Sequence, residues 1–287
     1  MAAALAAILI LGSYFAEALL LNDAPRSSIL PALGAALEAG PAGEAPSLNT
    51  GRYEYLSERA ATFIAIYVVR GLGFLLAGFA LTVLAFATRA RGPLPKVALM
   101  APIVGAALYA IAFVVSPVGT VLAVNDFLDG PRTVDAARDV GSRPLFVAVS
   151  IIEFVARLAF AMGLILVSLH AMRTGLLTRF LGVLGMLSGA LFLIPIGGPL
   201  PVVQCFWLGA FAFLLLGRWP GGDPPAWRTG RAEAWPSQQQ VREQRERERS
   251  GGGKAADPRP VAAAVGARAG EGTPHPSSRK KKRKRRS

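Results

Sequence analysis

The 287-residue chain is 53% hydrophobic and 17% charged, with a mean hydropathy of +0.43 and a formal net charge of +13. Soluble domains carry about a quarter charged residues and roughly 45–50% apolar ones, so these figures exclude an ordinary water-soluble body. One cysteine, Cys205, excludes an intramolecular disulfide and a cysteine-rich metal centre, and two distant histidines, His170 and His275, argue against a histidine-built metal site or a catalytic triad.

Residues 1–217 carry 13 Lys/Arg against 11 Asp/Glu, whereas residues 218–287 carry 18 against 7. A nearly neutral apolar body is therefore joined to a short basic tail. A helix that crosses a bilayer needs about 20 mostly apolar residues, because every backbone amide in lipid must be satisfied within its own segment. Six stretches reach or approach that length: 2–21, 62–87, 97–115, 145–170, 178–196 and 200–217. The first lacks the basic leading region of a signal peptide, and its apolar run extends to Leu21, so it is read as a retained span. The last two are short and flank Pro195-Ile196-Gly197-Gly198-Pro199, which reads as the turn of a helical hairpin. The expected fold is all-α: a polytopic transmembrane bundle of about six spans over 1–217, a Trp/Pro-containing juxtamembrane segment over 218–249, and a disordered basic tail over 250–287.

Short-loop charge sets orientation. Arg89, Arg91 and Lys96 lie in the loop 88–96, and Arg173 and Arg179 flank the loop 171–177, with no acids in either. The alternate segments 22–61 and 116–144 are acidic on balance. These counts predict a multi-pass protein of the bacterial cytoplasmic membrane with both termini in the cytoplasm. A short helix is expected around 29–37, and Ser57 is a candidate cap for the second span. Asp126, Asp129, Asp135 and Asp139 do not have the spacing of a calcium loop and are read as a solvated helix face. No metal ligand set and no cofactor is expected.

The ionisable residues inside the apolar runs are the most informative: Glu17, Arg70, Glu153 and Arg157. Each mid-membrane charge costs about 2.5–3.5 kcal/mol on insertion scales, so two acids and two bases are expected to pair. Counting ~1.5 Å per residue places Arg70 and Glu153 at similar depths, ~12–14 Å below the outer ends of their spans. Arg157 follows Glu153 by one turn on the same face. Tyr67 and Ser150, one turn before Arg70 and Glu153, add hydroxyls. The expectation is a buried polar cluster between spans one, two and four that opens outward, either a ligand site or a set of ion pairs fixing helix register. The small-residue pairs Gly185/Gly189 and Gly73/Ala77 are read as close helix packing inside the bundle. Gln204, Cys205 and Trp207 are read as packing residues.

Beyond Gly217 the apolar pattern stops. Trp219, Trp227 and Trp235 recur among Pro and Gly, with Trp219 expected at the membrane interface and the others against the inner face. Residues 237–249 suggest a short polar helix. The chain ends in eight consecutive cations, Arg279, Lys280, Lys281, Lys282, Arg283, Lys284, Arg285 and Arg286. Such a block tethered beside a membrane is expected to meet anionic lipid headgroups, with nucleic acid as a second polyanion it would bind.

The segment LHAMRTGLLTRFLGVLGMLSG (Leu169–Gly189), followed by RWPGGDPPAW (Arg218–Trp227), resembles uncharacterised six-span integral membrane proteins of actinobacterial type. The resemblance covers roughly residues 1–236 and implies a membrane protein without supplying an activity. No HExxH or comparable catalytic pattern is visible. The sequence favours a non-enzymatic structural or interaction protein in the bilayer. The alternative is a small transporter or ligand-binding membrane protein that uses the Glu/Arg cluster. A membrane-embedded enzyme is the third and weakest reading.

Overall fold

The structure, a computed structural model, describes residues 1–21, 23, 25, 34, 45–193, 201–220, 222, 224–233, 242–243 and 246–247. The chain divides into two units, Met1–Trp235 and Pro236–Ser287. In the second unit Arg242, Glu243, Glu246 and Arg247 carry helical backbone. The segment 250–287 with its basic block Arg279–Arg286, and most of the helix expected at 29–37, lie outside the described residues.

The described part of the first unit is helical throughout: α1 (Ala2–Leu20), α2 (Thr50–Glu58), α3 (Ala60–Arg89), α4 (Lys96–Asp129), α5 (Val134–Ser142), α6 (Pro144–Arg173), α7 (Arg179–Leu193), α8 (Val202–Leu215) and α9 (Pro225–Thr229). Four of these, α1, α3, α4 and α6, are long and apolar enough to cross a membrane. Their outward surfaces carry exposed Leu72, Leu75, Phe79 and Val83 on α3, and Ile151, Phe154, Val155 and Leu158 on α6. Contiguous apolar rows of this kind are not tolerated in water; a lipid bilayer satisfies them.

One expectation is corrected. The span expected to end at residue 115 continues as α4 to Asp129, through Pro102 and Pro117. A proline removes one backbone donor, but non-helical backbone exposed to lipid would leave many more groups unpaired, so the helix carries on past it. The Thr120 hydroxyl donates to the Ser116 carbonyl at 2.8 Å in the same turn. The loop read over 116–144 therefore shrinks to the residues around α5.

The closing hairpin is described in part. Its helices α7 and α8 show 15 and 14 described residues, ~21–22 Å each at 1.5 Å per residue, against a hydrocarbon core of ~30 Å. They run antiparallel, held by the Trp207 indole donating to the Leu181 carbonyl at 2.9 Å and Gln204 donating to the Ser188 carbonyl at 3.3 Å. Phe192, near the last described turn of α7, packs on Phe160, the middle of α6, with ring centroids 5.5 Å apart. The described hairpin thus reaches only half the height of α6. Residues 194–200, its expected turn, lie outside the described residues.

Packing follows the ring α1–α3–α4–α6–α7–α8 and back to α1, with α3 also touching α6 across the centre. Small residues make these contacts possible. A Cβ at Gly105 would lie 2.6 Å from the Phe160 nitrogen, and one at Gly78 would lie 3.1 Å from the Pro102 oxygen. Gly73 meets Ile10 of α1, while Gly185 and Gly189 meet Ser168 and Ile165 of α6, so the small-xxx-small faces are consumed inside the bundle. Among the described residues α1 and α6 do not pack extensively on each other, and the described part of the hairpin stands between their lower halves.

The end of the bundle beyond the hairpin is capped by α2 and α5. Tyr53 packs edge-on against Phe127 at 5.0 Å, and Arg132 bonds Glu54 at 2.9 Å. An antiparallel bridge joins Pro46 and Thr133. Ser57, the expected cap of the second span, lies inside α2 and donates to Asn125 at 2.8 Å instead. At the opposite end, the segment after α8 folds back across the loops. Gly217 turns the chain with φ 68°, a conformation that costs glycine little. Trp227 then donates to the Leu176 carbonyl at 3.0 Å, and Arg91 donates to the Ala226 carbonyl at 3.0 Å and lies over the Trp227 ring.

Candidate functional site

The site is built on α1 and α3. Ser13, Tyr14 and Glu17 stand on adjoining turns of α1, and Tyr67 and Arg70 are one turn apart on α3. The close approach of α1 to Gly73 brings these two groups together. The Arg70 guanidinium donates to the Glu17 carboxylate through its terminal nitrogen and to the Ser13 hydroxyl through Nε at 3.2 Å. The Ser13 hydroxyl in turn donates a hydrogen bond to the Ile10 carbonyl at 2.7 Å. Tyr67 donates to the other Glu17 oxygen at 3.4 Å. Tyr14 lies against the guanidinium with its ring centre 3.7 Å from Cζ, and Tyr67 lies 4.7 Å from it. A buried guanidinium is costly unless its charge and donors are met; here a carboxylate, a hydroxyl and two π-faces meet them.

The two partners are not equally hidden. The Arg70 side chain is 5% exposed and that of Glu17 is 34% exposed. Glu17 faces a cavity of about 790 Å³ at the capped end of the bundle, walled by Tyr14, Phe15, Tyr53, Tyr55, Phe63, Tyr67 and Phe146, with Thr120 and Val124 of α4 behind them and Arg52 among the residues of α2. Beneath the ion pair the interior closes. Phe74 stacks on Tyr109 and Phe113 with centroids 4.6 and 5.5 Å away, and Phe160 and Phe192 complete the floor at 5.8 and 6.0 Å. Below that, Leu81, Leu84 and Leu164 are almost fully buried. The cavity thus has one polar wall among mostly apolar side chains, and the aromatic cluster lies beneath the ion pair.

Of the six residues expected to cluster, Glu17, Arg70 and Tyr67 converge as described. Arg157 lies within electrostatic reach of Glu153, Tyr109 and Tyr14, so α6 joins the cluster through the two tyrosines. Glu17–Arg70 is the ion pair found within the spans among the described residues. Glu153 and Arg157, expected to pair across one turn, form none. Ser150 is not part of the cluster: it is exposed and donates to the Val147 carbonyl at 2.8 Å, as serines in lipid-facing helices do.

Ser13, Tyr14 and Tyr109 were missed. Ser13 and Tyr14 precede Glu17 by four and three residues, and that helical spacing was a signal for both; Tyr109 stands alone in an apolar run and gave none. Asp126 bonds Arg143 at 2.8 Å and Asp135 bonds Arg138 at 3.4 Å, which accounts for two of the acids near α5 as surface pairs. Among the described residues no three His, Cys, Asp or Glu side chains are grouped so that they could hold a metal ion. Comparison with models of known protein families finds no match, and neither the characterised proteins nor the solved structures include one similar to this chain.

Proposed function

We propose that this is a multi-pass membrane protein that binds a small molecule in the cavity at the α2/α5 end of its bundle. The observation that carries the reading is a polar wall, Glu17 with Arg70 and Tyr67, set into an otherwise aromatic cavity of about 790 Å³. Small-molecule sites are concave, mostly apolar, of roughly 300–1,000 Å³, with a few placed polar groups. A purely structural ion pair needs no such space, because a clasp that fixes helix register is best sealed. The aromatic cluster packed beneath the ion pair favours binding over an open channel. An interaction protein without a ligand is the second reading, and it rests on the basic end of the chain, Arg279–Arg286, which would lie on anionic headgroups.

In this reading α7 and α8 complete six membrane segments, and the protein sits in the cytoplasmic membrane. Both ends of the hairpin lie at the α9 end, where Arg89, Arg91, Lys96, Arg173 and Arg179 gather. The tail therefore falls on the cytoplasmic side whether the hairpin crosses fully or turns back at half height. The test is thermal stability of the detergent-solubilised protein, wild type beside Ala18→Trp, screened against a metabolite library. Ala18 lines the cavity and is exposed to it, so the indole fills the space and leaves the ion pair intact. Compounds that raise the melting temperature of wild type and not of Ala18→Trp support the proposal. A library in which every shift is shared by both proteins refutes it.

A further inference from the structure

The cavity has a sign. Its deepest charged surface is the Glu17 carboxylate, because Arg70 lies behind it at 5% exposure and does not line the space. The Arg70 charge is spread over the ring faces of Tyr14 at 3.7 Å and Tyr67 at 4.7 Å and over the Ser13 hydroxyl. Glu17, by contrast, keeps lone pairs directed at the cavity, since one oxygen meets Arg70 and the other only the long 3.4 Å bond from Tyr67. The remaining lining combines the rings of Tyr53, Phe63 and Phe146 with aliphatic side chains, while the Tyr55 ring already lies under the Arg59 guanidinium at 4.0 Å. Aromatic faces and a carboxylate around one space are what a bulky ammonium group needs, because each supplies negative potential without demanding a donor in return. Arg52 is the one cationic residue in the lining; it is exposed, stands on α2 in the cap, and is screened by solvent.

We infer that the cavity takes a hydrophobic organic cation, an alkyl- or arylammonium, with its positive centre against Glu17 and its apolar body among the Tyr and Phe rings. The inference rests on the ligand-cavity reading and adds the charge class. It is tested with two water-soluble probes of similar size and opposite charge, benzyltrimethylammonium and benzenesulfonate, titrated into the full-length protein in detergent. The proteins are wild type, Ala18→Trp, Phe63→Leu and the double variant Glu17→Gln/Arg70→Gln, which replaces the ion pair by two neutral amides so that no buried charge is orphaned.

Benzyltrimethylammonium is expected to bind saturably. It should lose about tenfold in affinity with the double variant, the worth of one charge contact at roughly 1.4 kcal/mol, and a smaller factor with Phe63→Leu. Benzenesulfonate should not bind. Saturable sulfonate binding that Ala18→Trp abolishes would overturn the cation class and leave the cavity reading standing. Ammonium binding that is equal in wild type and the double variant would also overturn it, and so would failure of the ammonium to bind a wild-type protein that the metabolite screen shows to be ligand-responsive. If no library compound distinguishes wild type from Ala18→Trp and neither probe binds, both readings fall together.

Discussion

The two halves of this bundle are built on opposite principles. In the half next to α9, six helices pack through glycines with little room to spare. Gly105 accepts the Phe160 backbone, Gly182 the Met172 side chain and Gly185 the Ser168 hydroxyl, and Leu176, Leu177 and Leu181 are fully buried. In the half next to α2 and α5, the described residues are those of four long helices and the cap, and tyrosines, one ion pair and a cavity lie among them. The difference comes from length. Among the described residues the two short helices line the first half alone, so fewer helices surround the second.

That contrast can be broken from either side. The largest effect is expected for Glu17→Gln, which leaves the Arg70 guanidinium buried with a neutral partner. Breaking a buried pair from one side costs about 3–5 kcal/mol, read as a melting-temperature drop in detergent or a loss of monodisperse protein. Arg70→Gln should cost distinctly less, because Glu17 faces the cavity and can be hydrated there. Equal losses would show that the cavity does not reach the carboxylate. Gly105→Ala should cost about 1–3 kcal/mol by overpacking, since its new methyl would sit 2.6 Å from backbone nitrogen rather than from a yielding side chain. A comparable small-to-large change in the open half, Ala18→Trp, should leave thermal stability nearly unchanged despite adding an entire indole.

Smaller effects test the edges. Trp227→Phe removes the bond to the Leu176 carbonyl and should cost about 1 kcal/mol. It should also raise protease sensitivity within 219–233, since the same ring carries Arg91. The exposed Asp135–Arg138 pair is the control: Arg138→Ala should change stability by no more than ~0.5 kcal/mol. A larger loss would mean that α5 is held by charge rather than by Val140 packing on Ala123, Val124 and Phe127.

The four long helices were legible because lipid imposes a rule that hydropathy reads directly, and three of them begin and end within three residues of the expected limits. The third helix runs past the expected end at residue 115, through Pro117 to Asp129, since the helix does not stop where the most apolar stretch does. The closing hairpin was legible as a hairpin, but its reach was not. Within the site, Glu17 and Arg70 announced themselves because a charge in an apolar run has few explanations. Tyr14 and Tyr109 did not, since tyrosine is common in such runs and carries no formal charge. Ser150 misled for a related reason. Its one-turn spacing from Glu153 was correct, yet spacing along one helix says nothing of which way that face turns.

Composition and hydropathy by themselves determined that the chain is helical and apolar enough for a membrane, where its strongest helices lie, and that its interior charges must find partners. Those are properties of single segments in a solvent that satisfies no backbone group. The tertiary structure alone decided which partner each charge takes, that the described turns of α7 and α8 lie beside one half of α6, and that a cavity opens beside Glu17. These depend on the rotation and depth of one helix against another. Both are set by the fit of small residues to their neighbours across the interface, and a linear pattern does not record that fit.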